Sequence, residues 1–178
     1  MIDEIDRILI SKEEIAKKVQ ELADKISKDY KGKELVLAGV LKGGFVILAD
    51  LMRAITIPLD MDLIAVSSYG SDVQSSGVVK LVKDLDVNVE GKHVLIVEDI
   101  IDTGLTLSYL VENFKTRRPL SVKIFAFLNK PDRRKVELDV DYTGFIIPDE
   151  FVVGYGLDYD NKYRQLPDIC VLKPEAYK

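Results

Sequence analysis

The chain has 178 residues, enough for one α/β domain with a substantial core. Hydrophobic residues make up 47% and charged residues 31%, an ordinary globular balance, and the net charge of −5 argues against nonspecific binding to nucleic acid or an acidic membrane surface. No apolar run is long enough to cross a bilayer, and the opening MIDEIDRILI places acids where a secretory signal carries basic residues, so a cytoplasmic protein without membrane contact is expected.

Ser11-Lys12-Glu13-Glu14 has the Ser-x-x-Glu form of a capping box, and Ile15, Val19, Leu22 and Ile26 follow at helical spacing. This spacing predicts an amphipathic helix lying on a sheet, with a structural role. Leu35 to Ala38 reads as a first buried strand, ending in Gly39-Val40-Leu41-Lys42-Gly43-Gly44 before a helix over Phe45 to Ile55. Glycines at a strand's carboxyl end let backbone approach a ligand, and Lys42 supplies a cation for an anionic group. Read alone, the same residues also make an ordinary βα turn with a solvated lysine. Leu59 to Ser68 is the next strand, and the Gly- and Ser-rich break from Tyr69 to Gly77 is a loop leading into Val78 to Val82. Asp86 to Gly91 is a turn.

His93-Val94-Leu95-Ile96-Val97 is a continuous, β-branched apolar run, the pattern of a strand buried on both faces. It stops at Glu98 and Asp99, and Asp102-Thr103-Gly104-Leu105-Thr106 then opens a helix over Leu107 to Phe114. Acids at the carboxyl end of a buried strand sit where open α/β sheets bind ligands. A hydroxyl-and-glycine turn at a helix start presents backbone N–H groups and the positive dipole end, which suits a phosphate. Acids beside a phosphate repel it unless a cation intervenes, so the stretch predicts a phosphorylated ligand, hydroxyl groups for the acids and Mg²⁺. A cap at Asp102 or Thr103 would account for one of these acids and leave the others unexplained. Neither GxxxxGK[ST] nor GxGxxG is present. The only histidine, His93, has no cysteine cluster to make a zinc site.

Thr116-Arg117-Arg118-Pro119 ends the helix with basic residues, as its dipole prefers. Ser121 to Leu128 is a further buried strand, the charged Asn129 to Arg134 leaves its carboxyl end, and Tyr142 to Ile147 is one more strand. Alternating strands and helices predict a parallel sheet with right-handed crossovers. Asp149 to Tyr159 sets Phe151 among glycines and acids, a composition that by itself fits core. Leu166 to Leu172 is a last apolar segment, in which the lone Cys170 reads as a small core residue with no partner for an internal disulfide.

The stretch from His93 to Thr106 resembles the phosphoribosyl-pyrophosphate (PRPP) binding motif of the type I phosphoribosyltransferases. Its elements are an apolar strand, two acids, two apolar residues, Asp, Thr-Gly and a second Thr. Asp149 to Tyr159 closely resembles the DxFVVGYxLDY purine-binding segment of the hypoxanthine-guanine branch, and the likeness runs from about Leu35 to Leu172. The resemblance implies an α/β fold with a mainly parallel central sheet flanked by helices. All of 1–178 would be one domain, with a small purine-binding hood built from N-terminal residues and roughly 149–178. Further implications concern single residues. Glu98 and Asp99 would hold the ribose hydroxyls and support Mg²⁺; Asp102, Thr103, Gly104, Leu105 and Thr106 would seat the 5-phosphate. Lys42, Gly43 and Arg164 would bind pyrophosphate, with a cis Leu41–Lys42 bond. Lys130 would donate to the oxygen at purine C6, Phe151 would stack on the base, the Val152 backbone would read its edge, and Asp158 would reach a second Mg²⁺ and the base environment. Ser68 and Tyr69 match a Ser-Tyr pair on a loop that closes over the site.

The implied activity is transfer of the phosphoribosyl group from PRPP to hypoxanthine or guanine, giving IMP or GMP and pyrophosphate, in a homodimer or homotetramer. Asp102 would be the general base toward purine N7. A free aspartate titrates near about 4, so it is expected to act through position more than basicity. Two rivals follow from the same motif. One is a related nucleobase enzyme, for example a xanthine-preferring one; the other is a PRPP-sensing regulator that binds nucleic acid, which would need a basic face.

Overall fold

The structure, a computed structural model, describes residues 2–68 and 79–177. Its elements are β1 (Ile5–Ile10), α1 (Lys12–Asp29), β2 (Leu35–Leu41), α2 (Gly44–Ala54), β3 (Asp60–Ser68), β4 (Val79–Lys83) and β5 (His93–Ile101). They continue with α3 (Leu105–Lys115), β6 (Ser121–Asn129), β7 (Tyr142–Ile146), β8 (Val152–Val153) and β9 (Ile169–Leu172). The expected capping box starts α1: Ser11 accepts from the Glu14 N–H, and Glu14 accepts from the Ser11 N–H.

The main sheet has the order β4-β3-β2-β5-β6-β7 and is parallel except for β4, which runs antiparallel to β3. In β5, Leu95 and Val97 pack with α1 and α2 residues such as Ile15, Val19, Ile47 and Leu48. Val94 and Ile96 face the other way, toward Leu107, Leu110 and Phe114 of α3. Burial on both faces is why this strand carries no polar residue between His93 and Glu98. From β2 the chain moves outward to β3, whereas from β5 it moves the other way to β6 and β7. The sheet therefore has its topological switch between β2 and β5, and ligands of open α/β sheets bind beyond the carboxyl ends of such strands.

Two strands run further than expected. β2 continues through Gly39 to Leu41, and β5 continues to Ile101, so Glu98 and Asp99 lie within a strand instead of after it. The start of α3 is capped by neither Asp102 nor Thr103; Gly104 is the cap residue, at φ 83, with no side-chain cap bond. A second, antiparallel sheet, β1-β9-β8, joins the two ends of the chain over the core of Ile5, Val153, Tyr163, Cys170 and Leu172. The N-terminal strand in it had no sequence signal, since only Ile5 and Ile10 of β1 are buried and Ile8 is exposed.

Candidate active site

Beyond the β2/β5 switch lies a cavity of about 400 Å³, lined by Lys42 and Gly43 from the turn after β2, Glu98, Asp99 and Ile100 from β5, Thr106, Lys130, and the segment Phe151, Val152, Leu157, Asp158 with Arg164. A smaller concavity of about 160 Å³ shares Glu98, Ile100 and Thr106 with it and adds Asp102, Thr103 and Gly104. The turn before α3 is thus open space faced by hydroxyls and backbone, on the same edge of the sheet as Lys130 and Phe151. Leu105 lines neither cavity; its N–H approaches the Thr103 hydroxyl at 3.5 Å.

The acids are held in an electrostatically unusual place. Burial, followed by the charge of neighbouring Asp99, pushes the Glu98 carboxyl well above its ordinary range. Burial also raises Asp99, although the Ile100 N–H donates to it at 2.7 Å and the Arg164 charge opposes the rise. Among the described residues no three His, Cys, Asp or Glu side chains converge as a metal cage. Two adjacent carboxylates facing a cavity are nonetheless a fitting donor set for Mg²⁺, which takes one or two protein carboxylates and completes its shell from water and substrate oxygens. Asp158, on the same cavity, pairs with Arg164 at 2.8 Å and accepts from the Asn161 N–H.

Close backbone approach shapes one wall of the cavity. The Leu41–Lys42 peptide is cis. A Cβ at Gly43 would fall 1.6 Å from Asp99 Oδ2, and one at Gly156, φ +98, would fall 2.4 Å from the Gly43 carbonyl oxygen. Only glycine at both positions lets the loop lie between the acids and the 154–158 segment. Arg164 donates to the Gly156 carbonyl at 2.6 Å, which fixes its guanidinium at the cavity wall.

At the other end, Lys130 is buried and donates to the Glu150 carbonyl at 2.6 Å, with Asp149 at 3.7 Å. Arg133 reaches Asp102 at 2.9 Å and Asp149 at 3.4 Å, so one guanidinium joins the turn before α3 to the start of the Phe151 segment. Arg134 bonds Asn129 Oδ1 at 2.6 Å and packs over Gly104, while the Lys135 N–H donates to the Thr103 carbonyl. Neither arginine was singled out by the sequence. Ser68 ends β3, and Tyr69 lies outside the described residues.

With this geometry, comparison with known proteins is specific. The family model of the phosphoribosyl transferase domain matches residues 6–160. The chain belongs to that family. It is 52% identical to the hypoxanthine-guanine phosphoribosyltransferase of Bacillus subtilis (strain 168), over 100% of this chain and 99% of the relative. Among solved structures, a hypoxanthine phosphoribosyltransferase from Staphylococcus aureus superimposes with a TM-score of 0.96 at 44% identity, covering 99% of this chain and 96% of that one. A hypoxanthine-guanine phosphoribosyltransferase from Bacillus anthracis, with a HEPES molecule in its active site, gives a TM-score of 0.92 at 50% identity, covering 96% and 100%. A phosphoribosyltransferase is an enzyme, and its fold here is the mainly parallel α/β sheet described above. No helix among the described residues is long and apolar enough to cross a membrane.

Proposed function

We propose that the protein serves purine salvage in the cytoplasm, transferring the 5-phosphoribosyl group of PRPP to hypoxanthine or guanine with release of pyrophosphate. The observation that carries this reading is that one cavity collects Lys42, Gly43 and Arg164, the acids Glu98 and Asp99, and Lys130 with Phe151. The turn from Asp102 to Thr106 would seat the 5-phosphate on backbone N–H groups, and Lys42, Gly43 and Arg164 would take the pyrophosphate. Holding both ends of PRPP turns a chance encounter into an oriented reaction. Glu98 and Asp99 would grip the ribose hydroxyls. Mg²⁺ held there, with Asp158 as a second candidate ligand, would supply positive charge to the departing pyrophosphate.

At the base end, Phe151 would stack on the purine, the Val152 backbone would read its edge, and Lys130 would donate to the C6 oxygen. Adenine would present an amino donor to that lysine donor, so 6-oxopurines are favoured. Asp102 would accept the N7 proton. The β1-β9-β8 sheet and its neighbours would act as the hood over the base within a single domain, and Ser68-Tyr69 as part of a closing loop that keeps water out.

A larger apolar groove of about 560 Å³, lined by residues including Ile15, Phe45, Val46, Tyr155 and Leu166, lies beside the site. Phe45 and Met52 are exposed on α2. We infer that this face is covered by a second copy of the chain in a homodimer or homotetramer. The activity is tested by mixing PRPP, Mg²⁺ and each of hypoxanthine, guanine, xanthine and adenine separately and assaying nucleotide and pyrophosphate. IMP and GMP are the expected products; their absence, or product from adenine alone, overturns the reading.

A further inference from the structure

Phe151 is unusual among the cavity residues because its ring is fixed by two other rings. Tyr177 stacks on it, with centroids 4.8 Å apart and planes 22° from parallel, and Tyr159 meets it edge-on at 5.5 Å and 89°. Neither tyrosine lines the cavity that Phe151 helps to form. Both therefore touch Phe151 from outside that space. Offset stacks and edge-to-face contacts prefer defined ring planes, so the pair specifies the orientation of the phenylalanine as well as burying it.

Tyr177 is itself anchored. It follows the 3₁₀ turn Pro174–Ala176, where the Ala176 N–H donates to the Lys173 carbonyl at 2.9 Å and the Tyr177 N–H to that of Pro174 at 3.3 Å. The Lys173 N–H in turn donates to the Glu4 carbonyl at 2.9 Å, and the Glu4 carboxylate accepts from the Tyr163 hydroxyl. A route of fixed backbone thus runs from the β1-β9-β8 sheet to Tyr177 and on to the plane of the Phe151 ring.

We propose that Tyr177 is a positioning residue for the purine: it holds the Phe151 ring in the plane on which the base stacks. The proposal rests on the reading that Phe151 stacks on the base. Without Tyr177 the ring gains rotational freedom, and binding the base must then order it, at a cost that falls on the purine step alone. On the proposed reading, PRPP would lie against Lys42, Gly43 and the turn before α3, and would not touch this stack.

The test is steady-state kinetics on Tyr177→Ala, Tyr177→Leu, Tyr177→Phe and Phe151→Leu, with guanine and PRPP varied in turn. Tyr177→Ala should raise the KM for guanine about three- to tenfold, the worth of one aromatic pair, and leave the KM for PRPP within experimental error. Tyr177→Leu keeps the apolar bulk but not the stacking plane and should show the same split, which separates lost orientation from a loosened fold. Tyr177→Phe should behave as the parent. If Phe151→Leu raises the guanine KM while Tyr177→Ala and Tyr177→Leu do not, or if they raise both KM values equally, the positioning role of Tyr177 is wrong and the base-stacking reading survives. If Phe151→Leu leaves the guanine KM unchanged, the base-stacking reading fails, and the role of Tyr177 with it.

Discussion

Gly43 shows how one hydrogen can decide a site. An alanine there would drive its methyl into the Asp99 carboxylate, so the acid must swing away or the loop must lift off β5. Gly43→Ala should keep a folded protein, with a melting temperature near that of the parent, and lose kcat/KM for PRPP by at least tenfold while the KM for guanine changes little. A parental value for PRPP would mean that the loop does not bind pyrophosphate in this position. Asp102 and Lys130 separate chemistry from recognition in the same way. Asp102→Asn keeps the shape of the turn before α3 and removes the proposed proton acceptor, so turnover should fall by about 10²–10⁴-fold with PRPP affinity retained in a calorimetric titration. Lys130→Ala removes a buried donor from the proposed base end and should raise the KM for guanine far more than that for PRPP. Equal effects on the two would place Lys130 in the scaffold, holding Glu150, instead of in the base site.

Among the elements, β5 and its following turn could be read from the sequence because every determinant is local: a doubly buried strand is apolar without interruption, and an N-terminal phosphate turn needs small and hydroxyl residues. The strand ran further than expected because Glu98 and Asp99 point into a cavity within the sheet edge, so their polarity did not mark its end. β1 and β8 were not legible. β8 has two residues, and both strands exist only by pairing with β9, from a distant part of the chain. The approach of Gly43 to Asp99, and of Arg133 to Asp102, are likewise contacts between segments far apart in sequence, which no local pattern encodes. Arg134 offers a test of such a contact at the scale of an element. Its stem packs over Gly104 and its head holds Asn129, so the segment after β6 braces the phosphate turn from outside. Arg134→Ala should raise the KM for PRPP several-fold with kcat and the KM for guanine nearly unchanged; an unchanged PRPP KM would show that the turn holds its shape unaided.

Across the whole molecule, the proposed site lies at the carboxyl ends of the parallel strands, and the single histidine lies at their amino ends. His93 begins β5, bonds Ser121 through Nδ1 at 2.8 Å and meets the Tyr30 ring edge-on at 5.9 Å. Burial first, then the charges of Lys33 and Lys123, lower its pKa below the ordinary value of 6.5. The folded protein therefore keeps the ring neutral at a pH where the unfolded chain already binds a proton. Stability from this group is complete above about pH 6.5 and is lost as pH falls through that value, until the folded ring also protonates. His93→Asn retains a polar side chain near Ser121 and cannot titrate. Denaturant midpoints of the parent should therefore fall more steeply than those of the variant between about pH 7 and pH 5, although the variant starts lower because ring packing is lost. Over the same range the pH profile of kcat should be identical in the two proteins, since the ring sits at the opposite end of the sheet from Asp102. Parallel stability curves would remove His93 as the source of the acid sensitivity, and a shifted kcat profile would mean that the two ends of the sheet are coupled.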